Sequence, residues 1–243
     1  MENYYRQKML ELENFFFKNY NVIVESDSMP KKLLPDILVK IKKHLENNSI
    51  DVCEMFEDGR INSNKDEDTI INLLIEKFGD KIKKMKSRSF CDIVCIDEEY
   101  GEIPVNIKST TTTTPDNTGK MGMFVQAFTT HELDFEKQIY SGAAMTLLKD
   151  AKKNKTLNED KKKDYFFLVI NKNNTDEIII NSILGLSVYR ANINNPPFQI
   201  KWSENKTYKN RPIEETRNKM NELFYKLDKS YSWTNELCAF RFD

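Results

Sequence analysis

Residues 165–171, YFFLVIN, are apolar at successive positions rather than alternate ones, and lysines and asparagines bound the run. A strand with this pattern is buried on both faces, so it belongs inside a sheet that is covered above and below. Residues 90–96 and 103–108 are also β-like, and the acidic turn 97–102 between them contains Gly101, which is a hairpin signature. Residues 177–180 are expected to pair with 165–171, and 198–202 form a further short strand.

Helices are expected before, between and after these strands. Residues 4–18 and 34–45 carry apolar side chains at helical spacing. A third helix is expected from Ser63, with Ile70, Ile71, Leu74 and Phe78 along one face and Gly79 as its stop. Residues 132–149 read as a helix, and Pro212 opens a last one that runs through Leu227. This order points to an α/β chain with a mixed central sheet flanked by helices. With 7 Gly, 7 Pro, no Gly/Ser-rich linker and no repeat, the 243 residues read as a single domain. Within it, residues 1–80 are mainly helical, and 90–243 hold the sheet.

Several function classes drop out on composition. No apolar run reaches the roughly 18 residues that span a bilayer, and the N-terminus lacks an apolar signal region, so a cytoplasmic protein without a membrane partner is expected. Cys91 and Cys95 share a strand face at period two, and neither histidine lies near them in sequence, so both read as buried free thiols. The net charge is −1, so any nucleic-acid binding must depend on local clusters of charge. Two such clusters stand out: Lys81, Lys83, Lys84, Lys86 and Arg88, then Lys152, Lys153 and Lys155 with Lys161, Lys162 and Lys163.

The hairpin carries the chemistry. Asp92 sits early on its first strand, and Asn106 and Lys108 share a face late on the second, while Ile103, Val105 and Ile107 point into the core. An acid beside an amide-x-lysine places hard oxygen ligands and a cation together, as metal-assisted phosphodiester hydrolysis requires. The segment 90–108 resembles the PD-(D/E)XK nuclease motif, and its continuation through Thr114 is similar to type II restriction endonucleases. The resemblance covers about twenty to thirty residues. It implies a restriction-endonuclease-like sheet, Mg2+ as cofactor with no nucleotide, double-stranded DNA as substrate, and a homodimer. Asp92 would then ligate the metal, and Lys108 would orient or activate water.

This sequence departs from the pattern in lacking a proline before Asp92 and in placing Asn106 where the second acid stands. An amide oxygen can coordinate magnesium but adds no negative charge, so a further carboxylate is wanted. Glu67 is the candidate, on the core side of the third helix; Asp66, Asp68 and Glu102 are the alternatives. Glu67 also fits a capping box with Asn64. The catalytic set is therefore Asp92, Asn106, Lys108 and Glu67, with Asp92, Asn106 and Glu67 on the metal.

For contacts to DNA, Ser109, Thr110, Thr111 and Thr112 supply hydroxyls, and Asn117 and Lys120 follow them. Gln199 and Lys201 alternate with Ile200, so both lie on one face of their strand, behind the Asn194 and Asn195 loop. The aromatic N-terminal helix, with Tyr4, Tyr5, Phe15, Phe16 and Phe17, serves either as a dimer interface or as core. Two other readings stay open: a repair or mobile-element nuclease on the same scaffold, and a DNA-binding protein that keeps the fold without catalysis.

Overall fold

Between strands β3 (Gly101–Thr110) and β5 (Phe166–Asn171) the chain leaves the sheet and returns parallel, with Val105 opposite Phe166 and Lys108 opposite Val169. A parallel return needs a crossover. Here it contains a short strand, β4 (Pro115–Asn117), and two helices, α3 (Met121–Phe128) and α4 (Ser141–Lys153). The structure is a computed structural model describing residues 34–48, 59–117, 120–159, 163–192, 197–227 and 232–242, with backbone alone at 59–64 and 232. Residues 34–243 form one unit, and the expected helix over 4–18 lies outside the described residues.

Before β3 come helix α1 (Asp36–Glu46), helix α2 (Gly59–Phe78), and strands β1 (Ile82–Lys84) and β2 (Ile93–Asp97). Strand β6 (Asn174–Ser182) follows β5, and the five-stranded sheet runs β1-β2-β3-β5-β6. Every neighbouring pair but β3–β5 is antiparallel, so the α/β expectation with a mixed sheet describes the fold. All six residues of β5 are buried, as the unbroken apolar run required.

Successive residues of the sheet feed two separate cores. Ile93, Cys95, Ile103, Val105, Ile107, Phe166, Leu168 and Ile170 pack with Ile37, Leu38 and Ile41 of α1 and Ile70, Ile71 and Leu74 of α2. Val94, Phe167, Val169 and Ile179 face the other way, towards Phe124 and Phe128 of α3 and Met145 and Leu148 of α4. Helices α5 (Ile213–Tyr225) and α6 (Ser232–Ala239) complete this second layer through Met220, Leu223, Phe224 and Leu237. A smaller sheet, ordered β4-β8-β7, combines β4 with β7 (Arg190–Ala191) and β8 (Phe198–Lys201).

Local signals account for several of the boundaries. Gly79 takes φ +57° and ends α2, and Gly101 takes φ +71° in the hairpin turn, a region costly to any residue with a Cβ. Asp97 fastens that turn: its Oδ1 accepts from the amides of Glu99 and Tyr100, and its Oδ2 accepts from Ile37 N at the start of α1. The expected helix over 132–149 begins only at Ser141, because Tyr140 is extended with ψ 152°. Cys91 and Cys95 face opposite cores, contrary to the period-two expectation, since β2 starts at Ile93 and the chain is irregular at Asp92.

Candidate active site

Asp92 stands one residue before β2, where its backbone N–H donates to Val105 O across the hairpin. Its side chain reaches the same strand, since Oδ2 accepts from Ile107 N at 2.7 Å. The carboxylate is thereby held beside the backbone between Asn106 and Lys108. It is half-buried, which leaves it open to solvent on one side.

Asn106, opposite Phe167, lies on the face of β3 that looks away from α1 and α2, and Lys108 follows it near the end of the strand. Asn106 is 5% exposed, and its side chain lies beside the hydroxyl of Tyr165. That hydroxyl donates to Phe90 O at 2.5 Å. Burial of Tyr165 pushes its phenol well up, so the group stays protonated and remains a donor. Lys108, nearer the end of the strand, is half-buried.

Glu67, in the N-terminal half of α2, meets Lys108 with Oε1 3.6 Å from Nζ. Burial is the largest influence on this carboxyl and raises its pKa to about 7; Lys108 opposes that rise, Asp92 adds to it, and Lys120 weakly opposes it. The structure thus brings Asp92, Lys108 and Lys120 within electrostatic reach of Glu67, with Asn106 on the strand that carries Lys108. The sequence places Lys120 among the DNA contacts after the threonine run. In the fold it closes this cluster from the N-terminus of α3, donating from Nζ to Ser89 O at 3.0 Å. Gly122 permits that approach, since a Cβ there would come within 3.2 Å of Phe90.

The alternative acids are engaged elsewhere. Asp66 is 1% exposed, accepts from Ser109 Oγ at 2.9 Å and is ion-paired with Lys172 at 2.9 Å. Asp68 pairs with Lys84 at 2.8 Å, and Glu102 pairs with Lys83 at 2.5 Å at the turn end of β3. Lys81 reaches Glu98 at 3.8 Å, and Lys86 pairs with Glu136, so the four lysines of the first basic cluster all meet acids. In the second cluster Lys152 donates to Arg241 O, and Lys163 donates to His131 O.

The expected DNA contacts separate into two groups. Ser109 is buried against Asp66, Thr112 is 4% exposed, and Thr110 and Thr111 are half-buried, with Thr111 Oγ1 2.7 Å from Thr114 Oγ1 within a turn. Asn117, Gln199 and Lys201 come together on the small sheet, where Asn117 pairs with Gln199 and Pro115 with Lys201. Asn192 donates to Asn117 Oδ1 at 2.5 Å, whereas Asn194 and Asn195 lie outside the described residues.

Among the described residues no three His, Cys, Asp or Glu side chains gather to hold a metal ion. The cluster offers two carboxylates and one amide instead. Such a set suits a hard cation that keeps several waters and takes only one or two protein carboxylates, as magnesium does. It does not suit zinc, which favours nitrogen and sulfur ligands. No helix of the described residues is long and apolar enough to cross a membrane. Comparison with protein families, curated proteins and solved structures finds no match to this chain.

Proposed function

We propose that this chain is a magnesium-dependent, sequence-specific double-stranded DNA endonuclease of the type II restriction kind, acting in the cytoplasm as a homodimer. The observation that carries this reading is the meeting of Lys108 and Glu67 at 3.6 Å beside Asp92. Segments distant in the sequence contribute to the cluster, and simple packing does not require two carboxylates and two lysines to converge there.

In this reading Asp92, Glu67 and the Asn106 amide oxygen hold the ion. Bound magnesium supplies Lewis-acid polarisation of the phosphate and a more acidic attacking water. The residues do the remaining work. Asp92 is positioned by the Ile107 amide, so its free oxygen is aimed before substrate arrives. Lys108, steadied by Glu67, presents its ammonium where negative charge builds on the scissile phosphate and hydrogen-bonds the attacking water. Lys120 places a second cation at the rim. A homodimer supplies one such site per strand of a two-fold-symmetric target.

Incubating the purified chain with phage DNA and magnesium tests the reading. Discrete fragments support site-specific cleavage, and a smear indicates an unspecific nuclease of the repair or mobile-element kind. A gel shift without cutting would show a DNA-binding protein that has lost catalysis; Asn106 in place of a second acid is the feature that favours that alternative.

A further inference from the structure

In the smaller sheet β8 lies between β4 and β7, and its register lines up one residue from each strand. Asn117 is opposite Gln199, and Gln199 is opposite Arg190. Directly opposed residues of neighbouring strands point to the same face, so these three side chains form a lateral row. Lys201, two residues along β8, shares that face. The opposite face carries Phe198 and Ile200, both fully buried, with the Phe198 ring 5.4 Å from Phe124, and Asp116 opposite Ile200. Trp202 anchors the same edge, its ring 5.3 Å from Phe167 and its Nε1 donating to Asp116 Oδ2 at 3.0 Å. The sheet is therefore seated firmly by its aromatic side and shows polar chemistry on the other.

Arg190 has no signal in the sequence. Glu204 takes its guanidinium through two nitrogens, with contacts of 2.6 Å to Nη2 and 3.2 Å to Nε. This fork fixes the plane of the group while its side chain stays 44% exposed.

We propose that the row Asn117, Gln199 and Arg190, with Lys201 beside it, reads base edges in the major groove of duplex DNA, and that Arg190 determines specificity. The inference rests on the nuclease reading above. Gln199, Arg190 and Lys201 have matched partners in that groove, since an amide bonds adenine in two places and arginine or lysine bonds guanine in two places; Asn117, whose Oδ1 accepts from Asn192, offers its Nδ2. Neighbouring strands are about 4.8 Å apart, so the row spans about 10 Å. That length covers about three base-pair steps at about 3.4 Å each and fits a groove about 12 Å wide. For this contact the guanidinium must open or share its pair with Glu204, and the 44% exposure of the Arg190 side chain leaves DNA access to it.

Selection from a randomised duplex pool, with the full chain in a chelating buffer and sequencing of the bound fraction, tests the proposal; cleavage of the same pool in magnesium runs alongside. The wild-type chain enriches one short sequence. Gln199→Ala and Arg190→Ala each relax it at a separate, neighbouring base pair, with discrimination there falling about ten- to hundredfold. Gln199→Glu shifts the preference at its base pair from adenine towards cytosine, a change that a merely structural role would not produce. Unchanged enrichment in the variants, or equal weakening on every sequence as for a phosphate contact, overturns the proposal. A wild-type chain that cuts without sequence preference overturns it too but leaves the nuclease reading in place. One that neither binds nor cuts overturns both.

Discussion

Lys108 Nζ stands 3.6 Å from Glu67 Oε1, and the two side chains are 24% and 19% exposed. The attraction does not balance the desolvation of Glu67, whose pKa is raised from 4.5 to about 7. The folded state therefore binds more protons than the unfolded state between these values, and stability falls as pH rises through that window. Above pH 7 the penalty is complete, about 3 kcal/mol at about 1.4 kcal/mol per pKa unit. In the metal-free protein Glu67→Gln removes it. Urea unfolding in a chelating buffer will show the variant more stable than wild type at about pH 8 and no more stable at about pH 4. An equal difference at both pH values would mean that Glu67 does not titrate in this range.

Asp92→Asn keeps an oxygen to accept the Ile107 amide, so the hairpin will fold and the thermal midpoint will move little. If the proposed nuclease activity holds, removing the charge weakens the hold on a divalent ion, and magnesium-dependent cleavage will drop by about a thousandfold or more, the scale expected when transition-state electrostatics are lost. Lys108→Ala will lose a comparable factor. Single-turnover cleavage beside a melting curve checks both; a variant that is stable yet fully active removes its residue from the site.

The Asp66 cluster will behave in the opposite way. Asp66 is buried and joins Ser109 to Lys172, so it binds α2 to the ends of β3 and β5. Asp66→Ala strands Lys172 and will cost about 3 kcal/mol, and Ser109→Ala about 1 kcal/mol. Neither will change the affinity for DNA measured by titration at constant salt. Loss of affinity in a stable Ser109→Ala variant would restore the role for Ser109 that its hydroxyl first suggested.

The features legible in the sequence are those whose cause is local. The hairpin follows from a period of two and a glycine at positive φ, and the buried strand from an apolar run with no polar face. Glu67 is legible because helical spacing places it with Ile70 and Leu74. Helix α3 is hidden because all eight of its residues are buried, so no polar stripe reveals the period. Strands β4 and β7 have three and two residues, too few to show alternation. Arg190 becomes notable only through its register with Gln199, and the place of Lys120 beside Glu67 only through the turn of α3 onto Ser89; neither pairing leaves a trace in the order of residues.

Asn106, the departure from the expected acid, has a local cause that can be tested. Its side chain lies beside the Tyr165 oxygen, whose own hydrogen goes to Phe90 O. A carboxylate at this position would face that oxygen with no hydrogen to share, at a site 5% exposed and near Asp92 and Glu67. Asn106→Asp will therefore destabilise the metal-free protein by about 2 kcal/mol or more. Tyr165→Phe removes the opposing oxygen but leaves Phe90 O without its donor, so it is destabilising alone. If the two residues act as one unit, the double variant will be more stable than the sum of the single losses by about 1 kcal/mol. Magnesium should then recover more stability in the Asn106→Asp background than in wild type, because the added carboxylate strengthens the ion's hold. Additive losses with no extra gain from magnesium would separate Asn106 from both Tyr165 and the metal.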